Sequence, residues 1–205
     1  MSLHPILAEA ASGGLPQWSC AGESRREHIR RVADLMEAWA EALGHPPEEV
    51  ARWRAAGRLH DALRDADPAD LVDRVDPALA DLPGGMLHGP AAAERLKAEG
   101  VRDEAFLRAV AFHTIGHPAF DELGRFLYAA DFLEPGRRFL PEWRAELRGR
   151  MVREPGAVMR EVARARIRNL LERFRPIRPE TREFWNILAQ EMKISRTTPA
   201  LDTDG

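Results

Sequence analysis

Apolar positions recur every three or four residues along most of this chain, which is the spacing of one face of an α-helix. Ser24 followed by Glu27 is typical of a capping box that begins a helix, and Gly44 is placed to end it. No window shows sustained alternation with a period of two. The pattern therefore predicts an all-α protein. The apolar stripe of this helix comprises Ile29, Val32, Met36, Trp39 and Leu43.

Later segments repeat this pattern and are separated by Gly and Pro residues. We interpret residues 1–23 as a loose lead-in that could hold one short helix at 3–11, residues 24–194 as a single helical domain and 195–205 as a flexible tail. The C-terminal helices are expected to pack on the first six. Residues 76–89 are predicted to form an irregular loop. The helices of the domain are predicted at about 24–43, 46–60, 67–75, 90–99, 103–113, 123–134, 141–150, 155–174 and 179–192.

Composition narrows the class of protein. A chain of 205 residues that is 44% hydrophobic can build the core of one sizeable domain. The net charge of −3 gives no global field that would attract nucleic acid or an anionic membrane. The single cysteine, Cys20, excludes a disulfide framework and a thiolate zinc site. With no apolar run of membrane-spanning length and no signal-peptide pattern, we expect a cytoplasmic protein.

Histidines and aspartates fall on inward helical faces or at predicted helix ends. His60 and Asp61 are adjacent, so on a helix they point about 100° apart and Asp61 can serve as a bridge between two ions. Such ions lie roughly 3.5–4 Å apart, and one lowers the pKa of its bound water toward ~7. Nitrogen and oxygen donors suit iron or manganese. Each histidine alone is more often a core or surface residue, so the prediction depends on the ordered set. That set is His28, His60, Asp61, His88, His113 and Asp131.

The motifs around these residues are also informative. They are Leu59-His60-Asp61, His88-Gly89, His113-Thr114-Ile115-Gly116 and Ala130-Asp131-Phe132-Leu133-Glu134-Pro135-Gly136-Arg137. Over residues 24–190 the chain resembles the YqeK family of the HD superfamily of metal-dependent phosphohydrolases. The resemblance implies an HD-type helical bundle with additional C-terminal helices and an iron-containing two-metal site. It also implies symmetrical hydrolysis of diadenosine tetraphosphate to two nucleoside diphosphates.

The resemblance further implies two ligand sets that share Asp61. One comprises His28, His60, Asp61 and Asp131, and the other comprises Asp61, His88 and His113. The chain departs from the family at two positions, where Arg64 replaces the usual Lys and Phe132 replaces the common Tyr. Arg keeps the positive charge of Lys but changes its geometry, so substrate preference or rate could differ.

Four residues beside the ligands are candidates for binding substrate, and Asp61 and Arg64 are the candidate catalytic residues. Arg64 could clamp a phosphate or simply lie in solvent. Thr114 and Gly116 could present backbone amides to phosphate oxygens or merely end a helix. Arg137 follows the Pro135-Gly136 break just beyond Asp131. The candidate substrate-binding residues are thus Arg64, Thr114, Gly116 and Arg137.

Other functions remain open at this point. A hydrolase of other nucleotides would share the metal ligands, and a nucleotide sensor would keep the metals without turnover. The arginine-rich segment 160–178 could contact RNA, although a solvated helix face with interleaved glutamates is favoured. We therefore expect a nucleotide partner, two divalent ions and no membrane, with monomer and homodimer both open.

Overall fold

The computed structural model describes residues 3–197, with side chains described for residues 3–192. No β-strand occurs between residues 3 and 197, which confirms the predicted all-α fold. Three short 3₁₀ turns, Val72–Arg74, Pro77–Leu79 and Gly84–Met86, connect the fourth and fifth helices. The helices within the described range are α1 (Pro5–Ala11), α2 (Glu23–Ala42), α3 (Pro47–Leu59), α4 (Pro68–Leu71), α5 (His88–Ala98), α6 (Glu104–Phe112), α7 (Glu122–Leu133), α8 (Pro141–Arg150), α9 (Pro155–Glu172) and α10 (Pro179–Thr197).

The predicted apolar stripe of α2 is buried from Ile29 to Trp39, Leu43 just after the helix is partly buried, and α2 contacts α3 and α7. At the centre of the core, the ring centroid of Phe126 lies 4.9 Å from that of Trp53 and 5.6 Å from that of Trp39. Aromatic side chains of this size contribute much of the apolar area buried on folding. This packing fixes α2, α3 and α7 relative to one another.

The start of α2 differs from the prediction. The helix begins at Glu23 after Gly22, and no side chain caps it, so the predicted capping box at Ser24 is wrong. Instead, the Gly22 amide donates to Asp65 Oδ2 at 2.9 Å. A long-range contact therefore satisfies a helix N-terminal amide that we had assigned to a local cap.

The segment before α2 is packed on the domain. Leu7 and Ala10 of α1 are buried, and α1 contacts α3. The Ala62 carbonyl accepts hydrogen bonds from the Ser19 hydroxyl and the Cys20 amide, at 3.0 and 2.8 Å. The predicted lead-in is therefore held in place rather than loose, because its apolar side chains complete the core. The boundaries at residues 24 and 195 remain predictions, and positions 198–205 of the predicted tail lie outside the described residues.

The last helices pack on the first part of the chain. Phe184 of α10 lies edge-on to Phe120 and Tyr128, with ring centroids 5.4 and 5.3 Å apart. Val158 and Val162 bury one face of α9, which contacts α7. In the described part of the chain, the helices all lack the combination of length and apolar character needed to cross a bilayer.

Candidate metal centre

Helix ends deliver most of the predicted ligands to one place. His60 and His113 cap the C-termini of α3 and α6, and His88 is the first residue of α5. His28 and Asp131 lie on the inner faces of α2 and α7. All of the predicted ligands, Asp61 included, are at most 8% exposed. The structure thus brings together side chains that are distant in the sequence.

Two glycines allow the helices that carry these histidines to approach closely. A Cβ on Gly57 would lie 2.6 Å from the Ala33 Cα, so α3 can pack directly on α2 only because residue 57 lacks a side chain. A Cβ on Gly89 would lie 2.8 Å from the Ala111 carbonyl oxygen. The first contact places His60 beside His28, and the second places His88 beside the end of α6.

Three of the histidines are oriented by the backbone. The Nδ1 atoms of His60, His88 and His113 lie 2.8, 3.1 and 2.8 Å from the carbonyl oxygens three residues earlier. A carbonyl oxygen can only accept, so Nδ1 carries the hydrogen in each ring. At the ends of α3 and α6 this bond also satisfies a carbonyl that has no partner within the helix. In a neutral ring the Nε2 atom is then a lone-pair donor that points into the centre.

The Nε2 atoms form two pairs on either side of Asp61. His28 and His60 face each other with 3.3 Å between their Nε2 atoms, and His88 and His113 do so at 3.2 Å. Asp61 Oδ2 lies 3.5 and 3.6 Å from the first pair. Asp61 Oδ1 lies 2.9 and 3.4 Å from the second pair. One carboxylate therefore serves both pairs, each through a different oxygen.

The donor set suits divalent cations. Lone pairs of imidazole nitrogens that face each other at this distance repel unless a proton or cation lies between them, and the nearby carboxylates add negative charge. His28, His60 and Asp131 offer ligand atoms within 4.8 Å of one another, as do His60, Asp61 and His113. Imidazole and carboxylate ligands are suited to iron and manganese. The residues present fit a divalent cation.

Charge and burial keep four of the predicted ligands in their metal-binding forms. Burial lowers the pKa of His60 to about 3, and it also lowers the pKa of His88. Burial alone would raise the pKa values of Asp61 and Asp131, but their histidine and arginine neighbours hold both well below the ordinary value. At neutral pH the centre therefore presents ionised carboxylates and, at His60 and His88, neutral imidazoles.

His28 differs from the other histidines because its Nδ1 faces a carboxylate. Glu134 Oε1 lies 3.2 Å from that nitrogen, while Arg31 Nε and the Gly136 amide donate to Glu134 Oε2, each at 2.6 Å. Burial would raise the pKa of Glu134, but these bonds lower it to about 2. For His28, the hydrogen bonds to Asp131 and Glu134 outweigh burial and raise the pKa. Glu134 belongs to a motif quoted from the sequence, but its contact with His28 was not predicted.

Two arginines at the centre were not predicted as site residues. Arg25 Nη1 lies 2.7 Å from Asp61 Oδ2, and Arg166 Nη2 lies 2.9 Å from Asp131 Oδ2. Arg25 precedes His28 by three residues and so shares its helical face, which was a usable signal. Arg166 was interpreted as part of a solvated face, and this is wrong because its side chain is only 16% exposed. No local pattern indicated its role.

Three of the predicted substrate-binding residues lie beside the predicted ligands, and Gly116 differs from them. Arg137 Nη2 lies 2.7 Å from Asp131 Oδ1, and Thr114 Oγ1 lies 3.0 Å from His113 Nε2. Arg64 is half-buried, and its positive charge contributes to lowering the pKa of His88. The Gly116 amide, in contrast, donates to the Phe112 carbonyl at 2.8 Å. That amide is already bonded, so the alternative that Gly116 ends α6 is favoured over phosphate binding.

Comparisons with known proteins agree with this geometry. The HD domain family model matches residues 25–136. The chain is 32% identical over 109 residues to "Bis(5'-nucleosyl)-tetraphosphatase, symmetrical" of Halalkalibacterium halodurans, covering 53% of this chain and 57% of the relative. It is 31% identical over 121 residues to the protein of the same name from Staphylococcus aureus, covering 56% and 61%. The chain thus matches less than two thirds of the length of these curated relatives.

The fold is similar to that of a solved structure, a predicted HD superfamily hydrolase involved in NAD metabolism from Clostridium acetobutylicum. The TM-score is 0.73 at 24% identity, over 90% of this chain and 96% of the other. This likeness extends beyond residues 25–136. The match of the family model over more than half of the sequence shows that the chain belongs to the HD domain family.

Proposed function

We propose that this chain is a metal-dependent phosphohydrolase that cleaves dinucleoside tetraphosphates, diadenosine tetraphosphate among them, symmetrically into two nucleoside diphosphates. The observation that carries the proposal is the position of Asp61, with one carboxylate oxygen at each of two histidine pairs. The names of the relatives from Halalkalibacterium halodurans and Staphylococcus aureus support this choice of substrate.

The proposal assigns two ions to the centre. His28, His60, Asp61 and Asp131 would hold one, and Asp61, His88 and His113 would hold the other. Divalent ions at such a site lower the pKa of a coordinated water and neutralise charge on phosphoryl oxygens. We propose iron as the resident metal, with manganese as the alternative, because imidazole and carboxylate ligands accept both.

The reaction needs water and no other co-reactant. Water adds to a phosphorus atom in the middle of the tetraphosphate, and the bond from this atom to the central bridging oxygen breaks. The attacking water loses a proton, and the departing diphosphate leaves as the second nucleoside diphosphate. Asp61 is proposed as catalytic because it is the only predicted ligand that faces both histidine pairs.

Two arginines and a threonine are proposed to hold the phosphates. Within residues 3–192, no hydrogen bond or ion pair is found for the Arg64 side chain, which leaves its guanidinium available to a phosphate. Arg137 is 41% exposed and can turn from Asp131 toward an incoming anion. The Thr114 hydroxyl lies close enough to His113 to contact a phosphate oxygen at the second ion.

Product analysis tests this proposal. The purified protein is incubated anaerobically with Fe²⁺, or with Mn²⁺, and diadenosine tetraphosphate, and the products are separated by ion-exchange chromatography. ADP as the sole product supports symmetrical cleavage, whereas AMP plus ATP contradicts it. Turnover of nucleoside mono- or triphosphates without turnover of the tetraphosphate would support the alternative HD-type hydrolase. Tight binding without turnover would support a sensor.

Arg64 provides a matched pair of variants for the phosphate assignment. Arg64→Lys keeps the positive charge and should retain most of the activity, while Arg64→Gln should lower kcat/KM by about 10- to 100-fold through loss of a charge-assisted phosphate contact. Equal activity of the Gln variant and the wild type would place Arg64 outside the substrate site.

A further inference from the structure

Arg166 reaches the metal centre from a part of the chain that the family model does not match. It lies in the middle of α9, whereas the match ends at residue 136. Its Nη1 donates to the Thr114 carbonyl at 3.1 Å, and its Nη2 donates to the Tyr128 carbonyl at 3.1 Å. The same Nη2 lies 2.9 Å from Asp131 Oδ2. One guanidinium therefore joins α9 to the end of α6 and to α7.

Aromatic packing further restricts this guanidinium. Its central carbon lies 4.4 Å from the centroid of the Tyr128 ring and 5.3 Å from that of Phe132. A planar guanidinium over an aromatic face gains a cation–π attraction while its edge still donates hydrogen bonds. Two carbonyl hydrogen bonds and the aromatic contacts therefore restrict the movement of the Arg166 guanidinium.

The two oxygens of Asp131 face different partners. Oδ1 lies 3.2 Å from His28 Nε2, on the side of the predicted ion. Oδ2 is bonded to Arg166. Rotation about the bond between Cβ and Cγ would turn the oxygen near His28 out of its position, and the bond from Arg166 to the other oxygen opposes that rotation. Arg166 thereby fixes the plane of the Asp131 carboxylate relative to His28.

Arg137 also contacts Asp131, but it cannot perform the same task. It bonds to Oδ1, the oxygen that faces His28, so an ion would compete with it for that atom. Its side chain is 41% exposed, against 16% for Arg166. Arg137 can therefore release Asp131, whereas Arg166 is held by buried contacts that an ion does not disturb.

We propose that Arg166 is a positioning residue of the metal centre, which orients Asp131 for coordination and makes α9 part of that centre. This inference rests on the proposed metal site but not on the identity of the substrate. Partners that orient a metal ligand typically contribute 10- to 100-fold to metal affinity.

Manganese titration of the chelator-treated protein tests the inference without any substrate. The affinities of the sites for Mn²⁺ are measured by isothermal titration calorimetry for the wild type, Arg166→Gln and Arg166→Lys. We expect Arg166→Gln to weaken one site by about 10- to 100-fold and to leave the other near its wild-type value. The Mn²⁺ affinity of Arg166→Lys at that site should lie between those of the wild type and Arg166→Gln, because an ammonium keeps the charge without the planar geometry of the guanidinium.

Arg168→Gln is the matched control, since Arg168 is exposed on the same helix. It should leave both affinities unchanged. Wild-type affinity at both sites in Arg166→Gln would overturn the proposal. Equal weakening of both sites, with a lowered melting temperature in chelator, would also overturn it, because that result marks a purely structural role. If the wild type itself binds no Mn²⁺, the proposed metal site fails as a whole.

A double-mutant cycle separates positioning from general stability. If Arg166 acts through Asp131, Arg166→Gln should weaken Mn²⁺ binding in the wild-type background but have no further effect on it in Asp131→Asn. Additive losses in the double variant would contradict the assignment. Should Arg166→Gln fail to fold, the same cycle with Arg166→Lys gives the answer.

Discussion

The two histidine pairs of the candidate metal centre both present imidazole nitrogens, but different groups contact them. His88 and His113 are oriented by backbone carbonyls and share a single carboxylate oxygen, Asp61 Oδ1. The pair formed by His28 and His60 faces two carboxylates, Asp61 and Asp131, and His28 is backed by a third at Glu134. Carboxylates, each also paired with an arginine, are thus concentrated on one side of the cluster.

The pKa values show this difference at His28 only. The carboxylates raise the pKa of His28 despite its burial, whereas burial lowers the pKa of His60, in the same pair, and that of His88. Carboxylates attract a divalent cation as they attract a proton, so the side with more carboxylates should bind its ion more tightly. The comparison teaches that two similar ligand sets can differ in affinity through the charges behind them.

Replacing Asp61 should have the largest effect, because both pairs depend on it. We expect Asp61→Asn to lose both ions and to lower turnover by on the order of a thousandfold or more. Metal analysis after dialysis and a turnover assay measure the two losses. Asp70→Asn, at an exposed carboxylate nearby in the sequence, is the control. A variant that retains one tightly bound ion would show that Asp61 is not a bridge.

Replacing one histidine in each pair should show that the two sites differ in metal affinity. His88→Gln is expected to keep one tightly bound ion per chain, while His28→Gln should keep only a weakly bound one. Each should lower turnover by about a hundredfold, since a two-metal reaction needs both ions. Equilibrium dialysis against Mn²⁺ compares the retained affinities. Equal affinities in the two variants would refute the predicted asymmetry.

A smaller effect is expected from the residue behind His28. Glu134→Gln removes the charge but preserves the shape, and it should weaken Mn²⁺ binding at the side of His28 by about tenfold. Glu142→Gln, at an exposed glutamate on α8, should have no effect and serves as the control. If Glu134→Gln weakened the other site instead, the assignment of Glu134 to His28 would be wrong.

The smallest effect concerns stability in the absence of metal. The pKa of His60 is about 3 in the folded chain and 6.5 in the reference state, so the unfolded chain binds more protons between these values. The free energy of unfolding should therefore fall as the pH drops below about 6.5. The lowered pKa of His88 acts in the same direction. His28 has the opposite effect, because its pKa is raised in the folded chain. Its contribution to the free energy of unfolding is present at low pH and is lost as the pH rises.

Urea unfolding in chelator, repeated from pH 7 to pH 4, measures this dependence. His60→Gln should flatten the loss of stability in acid, and His28→Gln should steepen it. A stability that increases on acidification would show that the side of His28 dominates the proton balance.

Sequence patterns predicted the helices and placed the six candidate ligands on inward faces and at helix ends, because such positions follow from residues a few places apart. Those patterns failed for contacts that join distant segments. The start of α2 depends on Asp65 rather than on Ser24, and the lead-in is held by Ala62. For Gly116 the sequence left phosphate binding and a helix end both open, and its amide bonds locally to the Phe112 carbonyl at the end of α6.

The sequence by itself determined the helical class, the identity of the metal-ligand candidates and the resemblance to a phosphohydrolase family, since these depend on residue type and local spacing. Only the tertiary structure decided that the two oxygens of Asp61 face different histidine pairs. It also decided that Glu134 contacts His28 and that Arg166 contacts Asp131. Such roles depend on the packing of helices far apart in the chain, and an exposed arginine and a buried one have the same letter in a sequence.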